Sequence, residues 1–191
     1  SLDELIQRKK NWIMHRAIMN LEQQYLRNRE FIDNDKFYYR GKEYGLSLTA
    51  GREETVKIVE GLIVVTFIDD RPIDRIAIKT LLESWYLRES IKFLKTRTSE
   101  LAKKMKVQPS GMTVKNYTSK WGSCTAHNKI SYNWRIIMAP DYIIDYLIIH
   151  ELSHITEPNH SKDFWQTVAK YCDGYQTKRK WLRENGYRLI L

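Results

Sequence analysis

One eleven-residue stretch constrains this chain more than any other: His150-Glu151-Leu152-Ser153-His154-Ile155-Thr156-Glu157-Pro158-Asn159-His160. It holds three of the five histidines in 191 residues. Residues four apart share one face of a helix, so a helical His150 and His154 can converge on one ion. Glu151, beside the first histidine, can reach a water on that ion. This is the spacing of the zinc-hydrolase helix, in which the glutamate serves as general base. Pro158 cannot comfortably continue a helix, so the residues after His154 can reverse the chain and return His160 as a third ligand. A purely structural zinc site would want a fourth protein ligand, and the neighbourhood offers none.

The chemistry expected here is hydrolysis. Zinc lowers the pKa of a water and polarises a carbonyl oxygen. Glu151 accepts the water's proton during attack and later delivers it to the departing amine. His127, Tyr132 and Arg135 lie on or beside the preceding strand and are candidates to steady the developing negative charge. Each reads equally well as a packing or surface residue. Trp121 is a candidate wall of the substrate cleft, although a Trp beside Gly in a loop is more often an anchor. Glu157 is a candidate to fix a histidine ring, against plain solvent exposure.

Composition narrows the setting. The chain is 42% hydrophobic and 29% charged, which suits a single compact domain over 1–191. We divide it into an N-terminal helix and small sheet over 1–71 and a catalytic core over 72–191. No apolar run approaches the roughly 20 residues of a membrane span, so no membrane insertion is expected. The opening SLDELIQRKKNW has no apolar signal core. Cys124 and Cys172 are too few for a disulfide scaffold or a thiolate zinc module, and a reducing cytoplasm is the default expectation. The net charge of +9 hints at an anionic partner, but a basic solubilising surface explains it more simply.

The patterning gives an α+β order. Residues 2 to about 29 read as a helix, with Leu2, Leu5, Ile6, Trp12, Ile13, Ile18, Leu21 and Tyr25 at helical spacings. FYYRGKEYGLSL reads as two strands turning at Gly41, and ETVKIVEGLIVVTF as two more turning at Glu60 and Gly61. A small antiparallel sheet is expected from them. Pro72 is expected to open a long helix to about residue 106, with Leu82, Tyr86, Ile91, Leu94, Leu101 and Met105 as its buried stripe. MTVKNY and KISYNW read as strands around a loop at 119–128. Pro140 starts the histidine-bearing helix, and two short helices follow, separated near Gly174.

Several segments together resemble the YgjP-like metallopeptidase-domain family, a branch of the zincins related to the WLM and SprT-like groups. They are Trp121-Gly122-Ser123-Cys124, Ile130-Ser131-Tyr132-Asn133-Trp134-Arg135, Ala139-Pro140, Ile144-Asp145-Tyr146 and the HELSH helix. Asn159-His160-Ser161-Lys162-Asp163-Phe164-Trp165 and Lys180-Trp181-Leu182 complete the match. The resemblance is strong from about 113 to 187. It implies a zincin-like fold, zinc on His150, His154 and His160, Glu151 as the catalyst, and a strand near the cleft supplied by 129–135. Two departures stand out. Ser153 replaces the usual alanine or aliphatic residue, and Glu157 and Pro158 occupy a turn where related zincins often place glycine.

The resulting expectation is a zinc metallopeptidase acting on a peptide or protein. The alternatives are a metal-dependent nucleotide phosphoanhydride hydrolase and a basic nucleic-acid-associated module. No GxxxxGK loop is present, so phosphate binding would have to come from scattered Lys and Arg.

Overall fold

A computed structural model describes residues 2–68 and 74–191. Helix α1 (Leu2–Arg27) precedes a four-stranded sheet of β1 (Lys36–Tyr39), β2 (Lys42–Gly51), β3 (Thr55–Val59) and β4 (Leu62–Ile68). Both hairpin turns fall where expected. Arg40 and Gly41, then Glu60 and Gly61, all adopt positive φ, the backbone that two-residue hairpin turns require. The sheet is not wholly antiparallel. Its order is β1-β2-β4-β3, and β2 and β4 run parallel. The short 52–54 connection carries the chain past β4 to its far side, so β4 returns between its predecessors. Alternating polarity identifies strands but does not encode this crossing.

On α1, the helix is as expected but its apolar stripe is not a core. Trp12 is 65% exposed, and Ile13, Ile18, Leu21 and Tyr25 are similarly open. The side chains of Leu2 and Leu5 lie outside the described residues. Leu26 is buried, and Glu22 ties the end of the helix to Arg188 and Tyr187.

Helix α2 (Arg75–Met105) begins at an Asp74 cap whose carboxylate accepts the Ala77 N–H. Pro72, expected to open it, lies outside the described residues. Leu82, Tyr86, Leu94, Leu101 and Met105 are buried as expected, joined by Ile78 and Trp85. Ile91 is 44% exposed, one position off the stripe.

The second sheet comprises β5 (Gly111–Lys115), β6 (Gly122–Cys124) and β7 (Lys129–Asn133). Its order is β5-β7-β6, with β5 and β7 parallel and β6 antiparallel to β7. Strand β6 lies within the span expected to be loop. It is three residues long, too short to show a period.

Helix α3 (Asp141–Ser153) carries the first two histidines. Ile143, Ile144, Leu147 and Ile148 are buried, as are Tyr146, Ile149 and Leu152, so the helix is a core element on most sides. Its placement is set from two directions. The β1–β2 hairpin clasps its start: Arg40 N–H donates to Ile137 O, Gly41 N–H to Met138 O, and the Arg40 guanidinium grips Asp141 through two bonds of 2.9 and 2.5 Å. A Cβ on Gly41 would sit 2.7 Å from Pro140 Cα, so this contact needs glycine. From α2, Arg97 grips Asp145 at 2.6 and 2.7 Å. Helices α4 (Lys162–Tyr171) and α5 (Tyr175–Asn185) close the fold, with Gly174 left-handed between them. No helix among the described residues is long and apolar enough to cross a membrane.

Candidate metal centre

His150 and His154 project from the last turn of α3 and its cap, and His160 follows on the return loop. Nε2 of His150 and Nε2 of His160 stand 3.1 Å apart, and one ring nitrogen from each of the three histidines lies within 4.8 Å of the others. Zinc–nitrogen bonds of about 2.0–2.1 Å in tetrahedral array separate ligand nitrogens by about 3.4 Å, close to this spacing. The three rings therefore fit a single small cation. Among the described residues no Cys, Asp or Glu joins this group.

The return to His160 needs no glycine. Successive bonds from His154 N–H to Glu151 O, Ile155 N–H to Leu152 O and Thr156 N–H to Ser153 O tighten the end of α3. Glu157 N–H then also bonds Ser153 O. No residue from 151 to 161 takes positive φ. Ser161 immediately follows the third histidine and caps α4, its hydroxyl accepting the Phe164 N–H at 3.2 Å. The cap fixes the chain on which His160 sits.

Glu157 does fix a histidine ring, but through its backbone. Its carbonyl lies 3.2 Å from His154 Nδ1, which leaves His154 Nε2 for a metal. Nδ1 of His150 is buried and has no hydrogen-bond partner. Burial, then the neighbouring His154 and His160 and the Arg179 charge, push the His150 pKa down to about 3. His154 is also lowered, chiefly by burial. Neutral imidazole is the form that binds metal.

Phe164 is fully buried and touches all three imidazoles, with ring centroids 4.5 to 5.0 Å away. Trp165 stacks on His160, and Tyr175 stacks on Trp165. Phe164 and Trp165 thus pack α4 directly on the histidines, and the Ser161 cap sets their helical phase.

Glu151 is 4% exposed. Its side chain lies against the backbone of Gly122 on β6. Burial raises its pKa to about 8, and Lys120 partly opposes the shift. A dication beside it would favour the carboxylate further. Ser153, the other polar residue buried on α3, satisfies its hydroxyl by donating to Ile149 O at 2.7 Å. That bond accounts for serine at a position where an apolar residue would otherwise be expected.

The remaining candidates separate. Tyr132 is 0% exposed, and Thr98 Oγ1 donates to its hydroxyl at 3.3 Å. It is a core residue, closed to substrate, because β7 is the middle strand of its sheet. Strand β6 lies against α3, with Gly122 meeting the Glu151 side chain. His127 is exposed on the turn before β7, where its carbonyl accepts from the Ser110 hydroxyl, and its ring stands outside the three-histidine group. Trp121 packs against Gly186, where a Cβ would come within 2.9 Å of its ring, and it also lines a cleft of about 580 Å³. Arg135 lines the same cleft. Lys120 had no periodic or motif signal of its own, and Gly122 was marked only as part of the Trp121-Gly122-Ser123-Cys124 segment of the resemblance.

Comparison with solved structures finds the crystal structure of the metallopeptidase zymogen of Pyrococcus abyssi abylysin, at 17% identity and a TM-score of 0.44. The overlap covers 51% of this chain and 96% of that one, and is too slight to bear on function. No curated protein matches the chain. The YgjP-like, metallopeptidase domain matches residues 1–185. The chain, with its three histidines able to hold one metal ion, belongs to the YgjP-like metallopeptidase-domain family.

Proposed function

We propose that this chain is a zinc-dependent peptidase, with zinc held by His150, His154 and His160 and with Glu151 as general base. The observation that carries the reading is the convergence of three imidazole nitrogens at the end of a helix that also carries the buried carboxylate of Glu151. Three nitrogen donors, with no fourth protein ligand among the described residues, suit catalytic zinc. When bound there, zinc would supply the Lewis acidity that activates water and polarises a carbonyl.

The chain's own residues do the rest. Glu151, held against Gly122, takes the proton from the attacking water and returns it to the departing amine. Phe164 keeps water away from the rear of the three imidazoles. Among the described residues β6 pairs with β7 alone and is the edge strand of its sheet, a place for strand addition. An extended peptide paired along that edge would present its backbone beside Glu151.

The test is hydrolysis of a peptide library by zinc-loaded protein beside Glu151→Gln, with phosphate and pyrophosphate release from nucleotides measured in parallel. We expect stoichiometric zinc in both proteins, peptide cleavage by the wild type, and a loss of about 10²–10⁴-fold in the variant. Cleavage that survives in Glu151→Gln, or turnover confined to nucleotides, would end this reading.

A further inference from the structure

Arg135 stands on the 3-10 turn (Trp134–Met138) that follows β7. Its guanidinium is half-buried, lies 4.7 Å over the Trp134 ring, and donates through Nη1 to the Asn116 side-chain oxygen. Its Nε is buried without a hydrogen-bond partner. Burial lowers its pKa, and the carboxylate whose field opposes this, Glu83, makes no hydrogen bond to it. Arg40, Arg97 and Arg188 differ, because each meets a carboxylate at 2.8 Å or less. A cation held partly out of water by neutral partners alone is costly until an anion reaches it.

Apart from the field of Glu83, Arg135 shares its cleft with cations. The 580 Å³ cleft that it lines also holds Lys120 and Arg183, and among the described residues no Asp or Glu side chain lines it. Arg183, 3.9 Å from the carboxylate of its chain neighbour Glu184, in turn lines a second cleft of about 360 Å³ with Trp165, Tyr175, Arg179 and Lys180, and among the described residues no acid lines it. The two clefts meet at Arg183 and form one basic track. Both of its arms border the metal centre. Lys120 is the cation whose field acts on Glu151, and it stands two residues before the Gly122 that lies against that side chain. In the other arm, Trp165 stacks on His160, and the Arg179 charge acts on His150.

We propose that this track is a substrate-recognition subsite for acidic polypeptide, with Arg135 as its specificity-determining residue and Lys120 and Arg183 as its outer contacts. The inference rests on the peptidase reading and names the substrate class of that site. The arginine fork matches a carboxylate through paired N–H groups. A single-stranded nucleic acid would need open aromatic platforms for its bases. The Trp165 ring already stacks with His160 and Tyr175 and carries the Arg179 guanidinium at 4.7 Å, so its partners are protein groups.

The test uses zinc-loaded Glu151→Gln protein and fluorescent peptides that share one central sequence, flanked by Glu in one and Gln in the other. An oligonucleotide of equal charge and inorganic tripolyphosphate complete the probes. The Glu peptide is expected to bind at least about tenfold more tightly than the Gln peptide, with the preference shrinking as salt rises. Arg135→Gln is expected to bring the two peptides within about twofold, and Arg135→Lys to recover only part of the preference. Because Arg135 is half-buried, the exposed pair Lys120→Gln with Arg183→Gln is measured as well, and it too is expected to cut the preference. Equal binding of the two peptides, or tighter binding of the oligonucleotide or tripolyphosphate, would overturn the proposal. Wild-type hydrolysis separates the two readings. Equal kcat/KM on both peptides keeps the peptidase and removes the track, whereas binding preference with no cleavage keeps the track and removes the peptidase.

Discussion

Glu151 occupies the space where Gly122 would carry a side chain: a Cβ there would lie 2.5 Å from Oε1 and 2.8 Å from Cγ. The base proposed for the reaction is therefore positioned by a residue 29 places earlier, on another element. Gly122→Ala should push the carboxyl out of place while leaving the histidines alone. A misplacement of about 1 Å near the reacting atoms can cost about 10²-fold. We expect kcat/KM to fall by about that factor, at a stability cost of about 1–3 kcal/mol from overpacking. Zinc stoichiometry should be unchanged. Elemental analysis beside peptide hydrolysis checks both halves.

His160 lies on a loop and is the exposed member of the three. Its replacement by alanine leaves two nitrogens on α3. The loss of zinc affinity should exceed the roughly 10–100-fold that follows removal of an outer hydrogen bond to a ligand. Chelation of the wild type should likewise abolish cleavage and lower Tm, because a ligand present at about 100 times its Kd stabilises the folded state by about 2.7 kcal/mol. Zinc titration and calorimetry with and without chelator test this. An unchanged Tm would show that the three rings bind no metal.

Phe164 touches every ring of the cluster and is fully buried. Phe164→Ala should cost about 3–5 kcal/mol, the range for deleting a core aromatic ring. Because the lost ring backs the ligands, zinc affinity should fall with it. Phe164→Leu should recover much of both. Denaturant unfolding at fixed zinc, compared with a zinc titration, distinguishes this from a packing loss remote from the metal.

Ser153 sits between the ligands and buries its hydroxyl on Ile149 O. Ser153→Ala removes a donor whose acceptor is already part of the helix ladder, so the cost should stay within about 1 kcal/mol. Ser153→Val adds bulk at a 0% exposed position and should cost about 1–3 kcal/mol. If alanine proved the more damaging change, the hydroxyl would have a role beyond satisfying itself. Thermal melts of both variants decide.

The sequence was legible where chemistry and period coincide. His150, Glu151, His154 and His160 are fixed by spacing along one segment, and the hairpins at Gly41 and Gly61 by residues that tolerate positive φ. What escaped depends on contacts between distant segments. Tyr132 alternates correctly for a strand, but its burial follows from β7 being central, which only the pairing order reveals. The parallel pairing of β2 with β4 has the same origin. Trp12, Ile13 and Ile18 have helical spacing, yet spacing cannot say whether a second surface arrives to cover them. Glu157 was a sound candidate for the wrong atom, because side-chain chemistry can be read from a sequence more readily than the direction of a carbonyl.

The contact between Gly122 and Glu151 also divides what different measurements can report. The three imidazoles come from eleven consecutive residues, so a chain that has formed α3 and its return loop can take up metal. Chemistry needs in addition the docking of β6, a separate piece of the polypeptide. Metal content would thus be a poor witness to native assembly, and a protein altered at position 122 could keep the three-histidine group while losing the placement of Glu151.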